Sequence, residues 1–390
     1  MVSDDGGPRC TLLAFRDPVE AARAAQLVYV HDSMPGIRRH RSDAGFVYVL
    51  PGGGVVERPD HLARIHALAI PPAWTDVWIC VTPRGHLQAT GRDARVRKQY
   101  RYHEHFRRLR DETKFCRMID FGRALPGLRA VVAHDLARHG MPREKVVATC
   151  VRLLDASFIR VGNVEYAREN ESFGLTTLRT DQVRVAAGHV RLRFRGKAGK
   201  EHDIDVGEPR LAAIVRRLQE LPGQTLFHYL DHAGHPRTVG SADVNAYLRE
   251  ATGHDFTAKD FRTWAGTVIA ARELADRSPP PSPAAAKRGL NEAVRAVSEK
   301  LGNTPAVSRR FYVHPAVVDG YLTGDLAHVC PDDASCERGL LGLLERRARA
   351  VLFGRAGGHE PGGRAGLDLR EVTPGSGRRG QRGAGWANPG

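Results

Sequence analysis

Lysine is scarce in this chain: eight residues of 390, against a Lys plus Arg total of 59. Arginine therefore carries almost all of the positive charge, and the formal net charge is +15 with an isoelectric point near 10.0. Such a field attracts polyanions, of which nucleic acid is the commonest large one. The Arg/Lys skew decides nothing by itself, because genomic base composition also sets it. Cysteine is sparse and scattered at Cys10, Cys80, Cys116, Cys150, Cys330 and Cys336. No Cys-x-x-Cys pair exists and Cys330/Cys336 lack histidines at finger spacing, which excludes the familiar zinc modules. Reduced, mostly buried thiols are expected. Asp4 and Asp5 stand where a secretory leader would carry cations, and no apolar run approaches ~18 residues. No leader or membrane span is expected, and a cytoplasmic protein is. The triple glycine Gly52–Gly54 lacks the Gly-Lys-Ser/Thr ending of a phosphate loop, so it reads as a turn. No internal repeat is visible.

What is present divides the chain. Residues 1–33 look peripheral, and the basic run Arg38-Arg39-His40-Arg41 reads as solvated. A β-rich N-terminal domain is expected over 34–115: a hairpin of Phe46–Leu50 with Val55-Val56, a short helix opened by Pro59, and strands at Val77–Val81 and His86–Thr90. Helical spacing follows at Leu128–Ala137 and Glu144–Ile159, with Gly162 permitting a sharp exit. The period then changes to two. Val183 and Val185, then Val190, Leu192 and Phe194, alternate with Arg184, Arg191, Arg193 and Arg195, and Ile204 and Val206 continue on a third strand. Lys197 falls at a hairpin tip in that meander. Helices resume at Leu211–Leu218, at Val244–Leu248 with Ser241 as N-cap, from Asp260, and at Gly289–Leu301 after the Pro-rich connector 278–283. The fold class is α+β, with a larger, mainly helical domain over 120–350. Residues 354–390, rich in glycine and arginine, read as a disordered basic tail.

Two segments carry chemistry. Gly91–His103 alternates cations with Gln99, Tyr100 and Tyr102, a mixture that grips a phosphate backbone and still reaches base edges; a charged, solvated helix start is the plain alternative. His103 and His105, two apart, lack a carboxylate motif that would make them metal ligands. Tyr312 lies in Leu301–Pro315 beside Arg309 and Arg310. A phenol of ordinary pKa ~10 is a weak nucleophile, but arginines that neutralise an electrophile's charge make a phosphodiester its obvious target. Arg160, Lys197, Lys259, Arg262 and Asn303 are its candidate partners. Each alone has a structural explanation: a surface cation, a turn lysine, an acid-paired arginine, a helix-terminating asparagine.

Taken together and in order, these segments resemble the type IB DNA topoisomerases of the compact bacterial and poxvirus kind, over roughly residues 34–345. The motifs that carry the resemblance are Gly91-Arg92-Asp93-Ala94-Arg95-x-Arg97-Lys98-Gln99-Tyr100-Arg101-Tyr102-His103, Phe158-Ile159-Arg160-x-Gly162-Asn163 with Tyr166-x-x-Glu169-Asn170 and Gly174–Leu178 after it, Phe194-x-Gly196-Lys197, Lys259-Asp260-Phe261-Arg262-Thr263, and Gly302-Asn303-Thr304-Pro305 ahead of the tyrosine. The resemblance implies a tyrosine recombinase/topoisomerase IB catalytic fold with a three-stranded β-meander. It implies that Tyr312 forms a 3′-phosphotyrosyl bond, that Arg160, Arg262 and Asn303 hold the phosphate, and that Lys197, helped by Lys259, protonates the leaving 5′-oxygen. Arg97, Lys98, Gln99, Tyr100 and Tyr102 would contact double-stranded DNA from the opposite half of a clamp, with the chain acting as a monomer. No metal, ATP or other cofactor is implied. Val96 departs from the pattern, since relatives often carry glycine there, and many relatives place histidine where Asn303 stands. A tyrosine recombinase shares the catalytic set but usually shows His-x-x-Arg where this chain has Lys259-Asp260-Phe261-Arg262. A silent DNA-binding protein would not need all the catalytic positions.

Overall fold

The computed structural model describes residues 17–356 apart from 44, 232 and 278. It opens with α1 (Pro18–Ala24), capped by the Asp17 carboxylate, which accepts from the Val19 amide at 2.8 Å. An antiparallel five-stranded sheet follows: β1 (Ile37–Ser42), β2 (Gly45–Val49), β3 (Thr75–Ile79), β4 (Leu87–Arg92) and β5 (Lys98–Tyr102), in spatial order β2-β1-β3-β4-β5. The helix α2 (Pro59–Ala67) connects β2 to β3 and covers one face, where Ile37, Val56, Ile65, Val77, Ile79 and Ala89 form a core.

Two features of this region were not foreseen. The run Arg38–Arg41, exposed at Arg38, His40 and Arg41 as a solvated run should be, is not outside the sheet but the body of β1, paired with β2 throughout and with β3 at Ile37 and Arg38. Polar side chains on both sides hide its period; Arg39 turns back under the sheet and donates to the carbonyls of Ile70, Pro71 and Trp74. Nor are the described residues before β1 peripheral. Ala22 and Val30 are buried, Val28 bridges Gly85, and the Trp78 indole donates to the Met34 carbonyl at 2.9 Å. This segment covers the face of the sheet that α2 leaves open.

From β5 the chain enters α3 (Glu104–Leu136), 33 residues long and N-capped by His103, whose ring accepts from the His105 amide. The His103/His105 pair is thus a helix start. Only the end of α3 was legible in the sequence, because its faces meet different partners: Phe106 packs with Ala21, Ala22 and Leu27, while Arg117 grips Asp260 far along the chain. The interval 115–120, between the two expected domains, lies inside this helix.

The catalytic region continues with α4 (Arg143–Ser157), α5 (Val164–Asn170), the meander β6 (Val183–Ala186), β7 (His189–Arg195) and β8 (Glu201–Gly207), α6 (Pro209–Gln219), a ribbon of β9 (His228–Leu230) and β10 (Pro236–Thr238), α7 (Ser241–Thr252), α8 (Ala258–Ala275), α9 (Pro283–Leu301), α10 (Pro305–Tyr312), α11 (Pro315–Thr323), α12 (Leu326–Val329) and α13 (Asp333–Ala356). On β7, buried Val190, Leu192 and Phe194 alternate with exposed arginines, as the period of two requires. The cap of α7 is Gly240 rather than Ser241; its amide is met by the Asp243 carboxylate at 3.0 Å. Helix α8 is the axis, buried at every position from Phe261 to Val268. Among the described residues the expected free thiols hold only for Cys80 and Cys150: Cys330 and Cys336, brought together by the tight α12–α13 connection, form a disulfide, and Cys116 is likewise disulfide-bonded, while Cys10 lies outside the described residues. Helix α13 extends through residues 354–356, and the rest of the expected tail lies outside the described residues.

Candidate active site

The first cation is positioned by backbone alone. Helix α4 stops where Phe158 turns left-handed (φ 56°), and buried Ile159 anchors the exit. The carbonyls of Arg160 and Val161 then accept from the amides of Leu175 and Thr176 at 2.8 and 2.7 Å. That pairing presses Gly174 onto Gly162, where an added Cβ on Gly174 would lie 2.6 Å from the Gly162 Cα, and Gly162 itself has φ +107°. Larger residues would push the Arg160 segment off its support.

Arg160 meets Arg262 over one neutral residue. The Asn303 Oδ1 accepts from Arg160 Nη2 at 2.7 Å and from Arg262 Nη2 at 3.4 Å. Arg262, 5% exposed, also donates to the carbonyls of Phe158 and, at 2.6 Å, of Leu301. No carboxylate pairs with either arginine among the described residues. Burial, and then the Arg160 charge, push Arg262 down to about 10, against the opposing influence of Tyr312; burial lowers Arg160 as well. The Asn303 Nδ2 is buried and has no hydrogen-bond acceptor among the described residues. Two guanidinium groups without a counter-charge and an unpaired amide donor leave this pocket short of one anion.

Tyr312 closes the pocket, its ring 5.7 Å from the Arg262 guanidinium carbon. Helix α8 supports its backbone. The Thr267 hydroxyl donates to the Tyr312 carbonyl at 3.0 Å, and a Cβ on Gly266 would come within 2.7 Å of the Tyr312 Cβ, so glycine is required for this approach. From α3, Lys114 Nζ donates to the Phe311 carbonyl and lies 5.8 Å from the Tyr312 ring centre, while Phe115 packs on His314 at 4.5 Å. Burial, then nearby Lys259, bring Lys114 down to about 8. Lys114 and Lys259 both line a cavity of about 470 Å³ between α1, α3 and α8.

The remaining candidates fall differently. Lys197 sits exposed in a single helical turn at the β7–β8 tip, and no hydrogen bond or ion pair joins it to the arginines among the described residues. Lys259 is exposed one turn before Arg262. Asp260, between them, serves the fold. It caps α8 by accepting from the Thr257 amide at 2.8 Å and binds Arg117 through both oxygens. His202 was not foreseen. Its ring stacks on Phe194 at 4.9 Å, and burial, then the charges of Arg160, Lys200 and Arg262, hold it down at about 4.

In the N-terminal motif, Arg97 and Gln99 both hold Asp93, and Lys98 pairs with Asp32 at 2.6 Å. The strand pleat puts Lys98, Tyr100 and Tyr102 on one face and Gln99 on the other, so the five expected DNA contacts do not share one side. Tyr102 is half-buried against Tyr100, His86 and Phe106. Val96 adopts φ +60°. The turn needs a left-handed residue, a conformation that glycine adopts readily and that is unfavourable for a β-branched side chain.

Comparison with known proteins gives the family. Residues 103–321 match the family described as eukaryotic DNA topoisomerase I, catalytic core, and residues 45–93 match the bacterial DNA topoisomerase IB N-terminal domain. The DNA topoisomerase 1B of Acanthamoeba polyphaga mimivirus is 31% identical over 287 residues, covering 72% of this chain and 85% of the relative. The DNA topoisomerase 1B of vaccinia virus (strain Copenhagen) is 22% identical over 235 residues, 59% of this chain and 70% of its own. The DNA topoisomerase 1 of rabbit fibroma virus (strain Kasza) is 24% identical over 238 residues, 60% and 72% respectively. The chain belongs to the type IB DNA topoisomerase family. No described helix is long and apolar enough to cross a membrane.

Proposed function

We propose that the protein relaxes positive and negative supercoils by cutting and rejoining one strand of double-stranded DNA, as a monomer, through Tyr312, without ATP or a metal ion. The observation that carries this reading is the anion-deficient pocket: Arg160, Arg262 and the unpaired Asn303 amide converge beside a tyrosine with no acid among them. A scissile phosphodiester supplies the missing charge. Its non-bridging oxygens bind the two guanidinium groups and the Asn303 Nδ2, which hold the charge that grows in the pentacoordinate transition state. The Tyr312 oxygen forms the bond to phosphorus and loses its proton to solvent. The bond to the 5′-oxygen breaks, and Lys197, supported by Lys259, delivers a proton to that oxygen.

The 3′-phosphotyrosyl ester conserves the energy of the broken bond. The freed strand rotates, and attack by the 5′-hydroxyl reverses the chemistry. Because Lys197 stands exposed on a hairpin tip, DNA would draw the β7–β8 tip inward before the proton moves. Residues 34–115 form one half of the DNA clamp and residues 120–350 the other, with the edge strand β5 turned toward DNA so that Arg97, Lys98, Gln99, Tyr100 and Tyr102 reach it from both of the strand's faces. The site of action is the nucleoid. The test is a supercoiled plasmid incubated with the protein in EDTA without ATP. Relaxation is expected; strand exchange restricted to one sequence would instead mark a recombinase, and retarded migration without relaxation a silent binder.

A further inference from the structure

We infer that Lys114, on the helix that links the sheet to the catalytic region, is a positioning residue that fixes the direction of the Tyr312 side chain. The inference rests on Tyr312 being the nucleophile. Two peptide planes flank the Tyr312 Cα, and each is held by one hydrogen bond from a different helix. The carbonyl of Phe311 accepts from Lys114 on α3, and the carbonyl of Tyr312 accepts from Thr267 on α8. With both planes fixed, φ and ψ of Tyr312 are fixed, and the ring can only swing about its own side-chain bonds.

A purely structural role would not choose lysine here. Lys114 has no carboxylate partner among the described residues. Its ammonium meets the Phe311 carbonyl and the rings of Phe115, Phe311 and Tyr312. A methionine would fill the same space without the desolvation that a buried ammonium suffers. What lysine adds is a charge-assisted hydrogen bond, roughly twice as strong as a neutral one. The groups facing it are Asp111 on its own helix, Lys259 and Asp260 on α8, and Tyr312 and His314 on the nucleophile segment; Arg110 and Arg117 line the same cavity. Asp260 is already bound by Arg117, so burial, and then the Lys259 charge, outweigh the two acids and bring the Lys114 pKa down to about 8. Helix α3 starts directly after β5, with Phe106 against Tyr102 at 5.6 Å. Contacts made by β5 therefore reach the nucleophile through one rigid element.

The experiment is single-turnover formation of the SDS-trapped covalent adduct on plasmid DNA by the full-length protein, followed from neutral to alkaline pH. Lys114→Met is expected to form adduct about tenfold more slowly at neutral pH, with DNA affinity and melting temperature unchanged. Lys114→Arg keeps the donor and the charge and is expected to stay within about twofold of wild type. The wild-type rate should fall as pH rises through about 8, and this limb should be missing in Lys114→Arg. A Lys114→Met rate equal to wild type, or a limb that survives in Lys114→Arg, overturns the inference. Tyr312→Phe run alongside separates the two claims: adduct in that variant would remove the nucleophile and the role of Lys114 with it. Loss of adduct there, with Lys114→Met unaffected, would overturn Lys114 alone.

Discussion

The cations of the N-terminal sheet and those of the catalytic pocket solve opposite problems. In the sheet, Arg97 holds Asp93 at 2.7 Å, Lys98 holds Asp32 at 2.6 Å, and Arg38 and Arg92 share Asp76. The Asp93 carboxyl is kept down at about 2 by its hydrogen bonds to Arg97, so this pair persists through the physiological range. In the pocket, Arg160 and Arg262 have only neutral acceptors among the described residues. Exposed ion pairs contribute little to stability, so the sheet can exchange its acids for phosphates at little cost, and salt tunes that exchange. Buried guanidinium groups held apart from any acid are preorganised for one anion and need no rearrangement when its charge develops. The sheet is built for reversible grip, the pocket for one step of chemistry.

Putting an acid into the pocket should erase the contrast. Asn303→Asp is nearly isosteric, supplies the missing charge and removes the unpaired donor. Cleavage in a plasmid nicking assay is expected to fall at least about a hundredfold, as it should for Arg160→Ala and Arg262→Ala, on the order of 3 kcal/mol of transition-state stabilisation. Near wild-type cleavage by Asn303→Asp would mean that the pocket does not hold the phosphate.

A smaller, conditional effect belongs to Lys197, which the free protein leaves outside the pocket. Lys197→Ala should be slow on ordinary DNA yet close to wild type on a substrate whose bridging 5′-oxygen is sulfur, since a thiolate leaves without a proton. An equal defect on both substrates would make Lys197 a phosphate ligand like the arginines. The smallest effect is expected in the sheet. Replacing Arg97 or Lys98 by alanine, in a Tyr312→Phe background, should flatten the log-affinity against log-salt slope by up to roughly one unit each. Unchanged slopes would show that these cations keep Asp93 and Asp32 when DNA is present.

The sequence disclosed those parts of the site that lie in local motifs. Arg160-x-Gly162 with Gly174 is legible because a backbone pairing and a glycine contact demand those residues at that spacing. The meander shows through its period of two. Lys114 and Phe311 are 197 residues apart, and no local pattern joins them; the one available signal was lysine scarcity, since three of eight lysines, Lys114, Lys197 and Lys259, belong to the site or its expected chemistry. His202 and Thr267 are ordinary strand and helix residues until packing brings them to Arg160 and Tyr312. Strand β1 was hidden by arginines on both faces. Within Arg97–Tyr102, the pleat that turns Gln99 away from Lys98 and the packing that draws Tyr102 into an aromatic cluster depend on the neighbouring strand and helix, which the motif does not contain.

Attack by Tyr312 on a phosphate held in an acid-free pocket is tested most directly by trapping the protein on DNA with SDS, digesting the complex and locating the nucleotide-bearing peptide by mass spectrometry. The expected peptide carries the 3′-phosphate on Tyr312, and Tyr312→Phe should bind DNA nearly normally and give no adduct. A modified peptide that maps elsewhere, for instance to Tyr321, which is 5% exposed on α11 against Gly289 of α9, or an adduct that survives in Tyr312→Phe, would contradict the account.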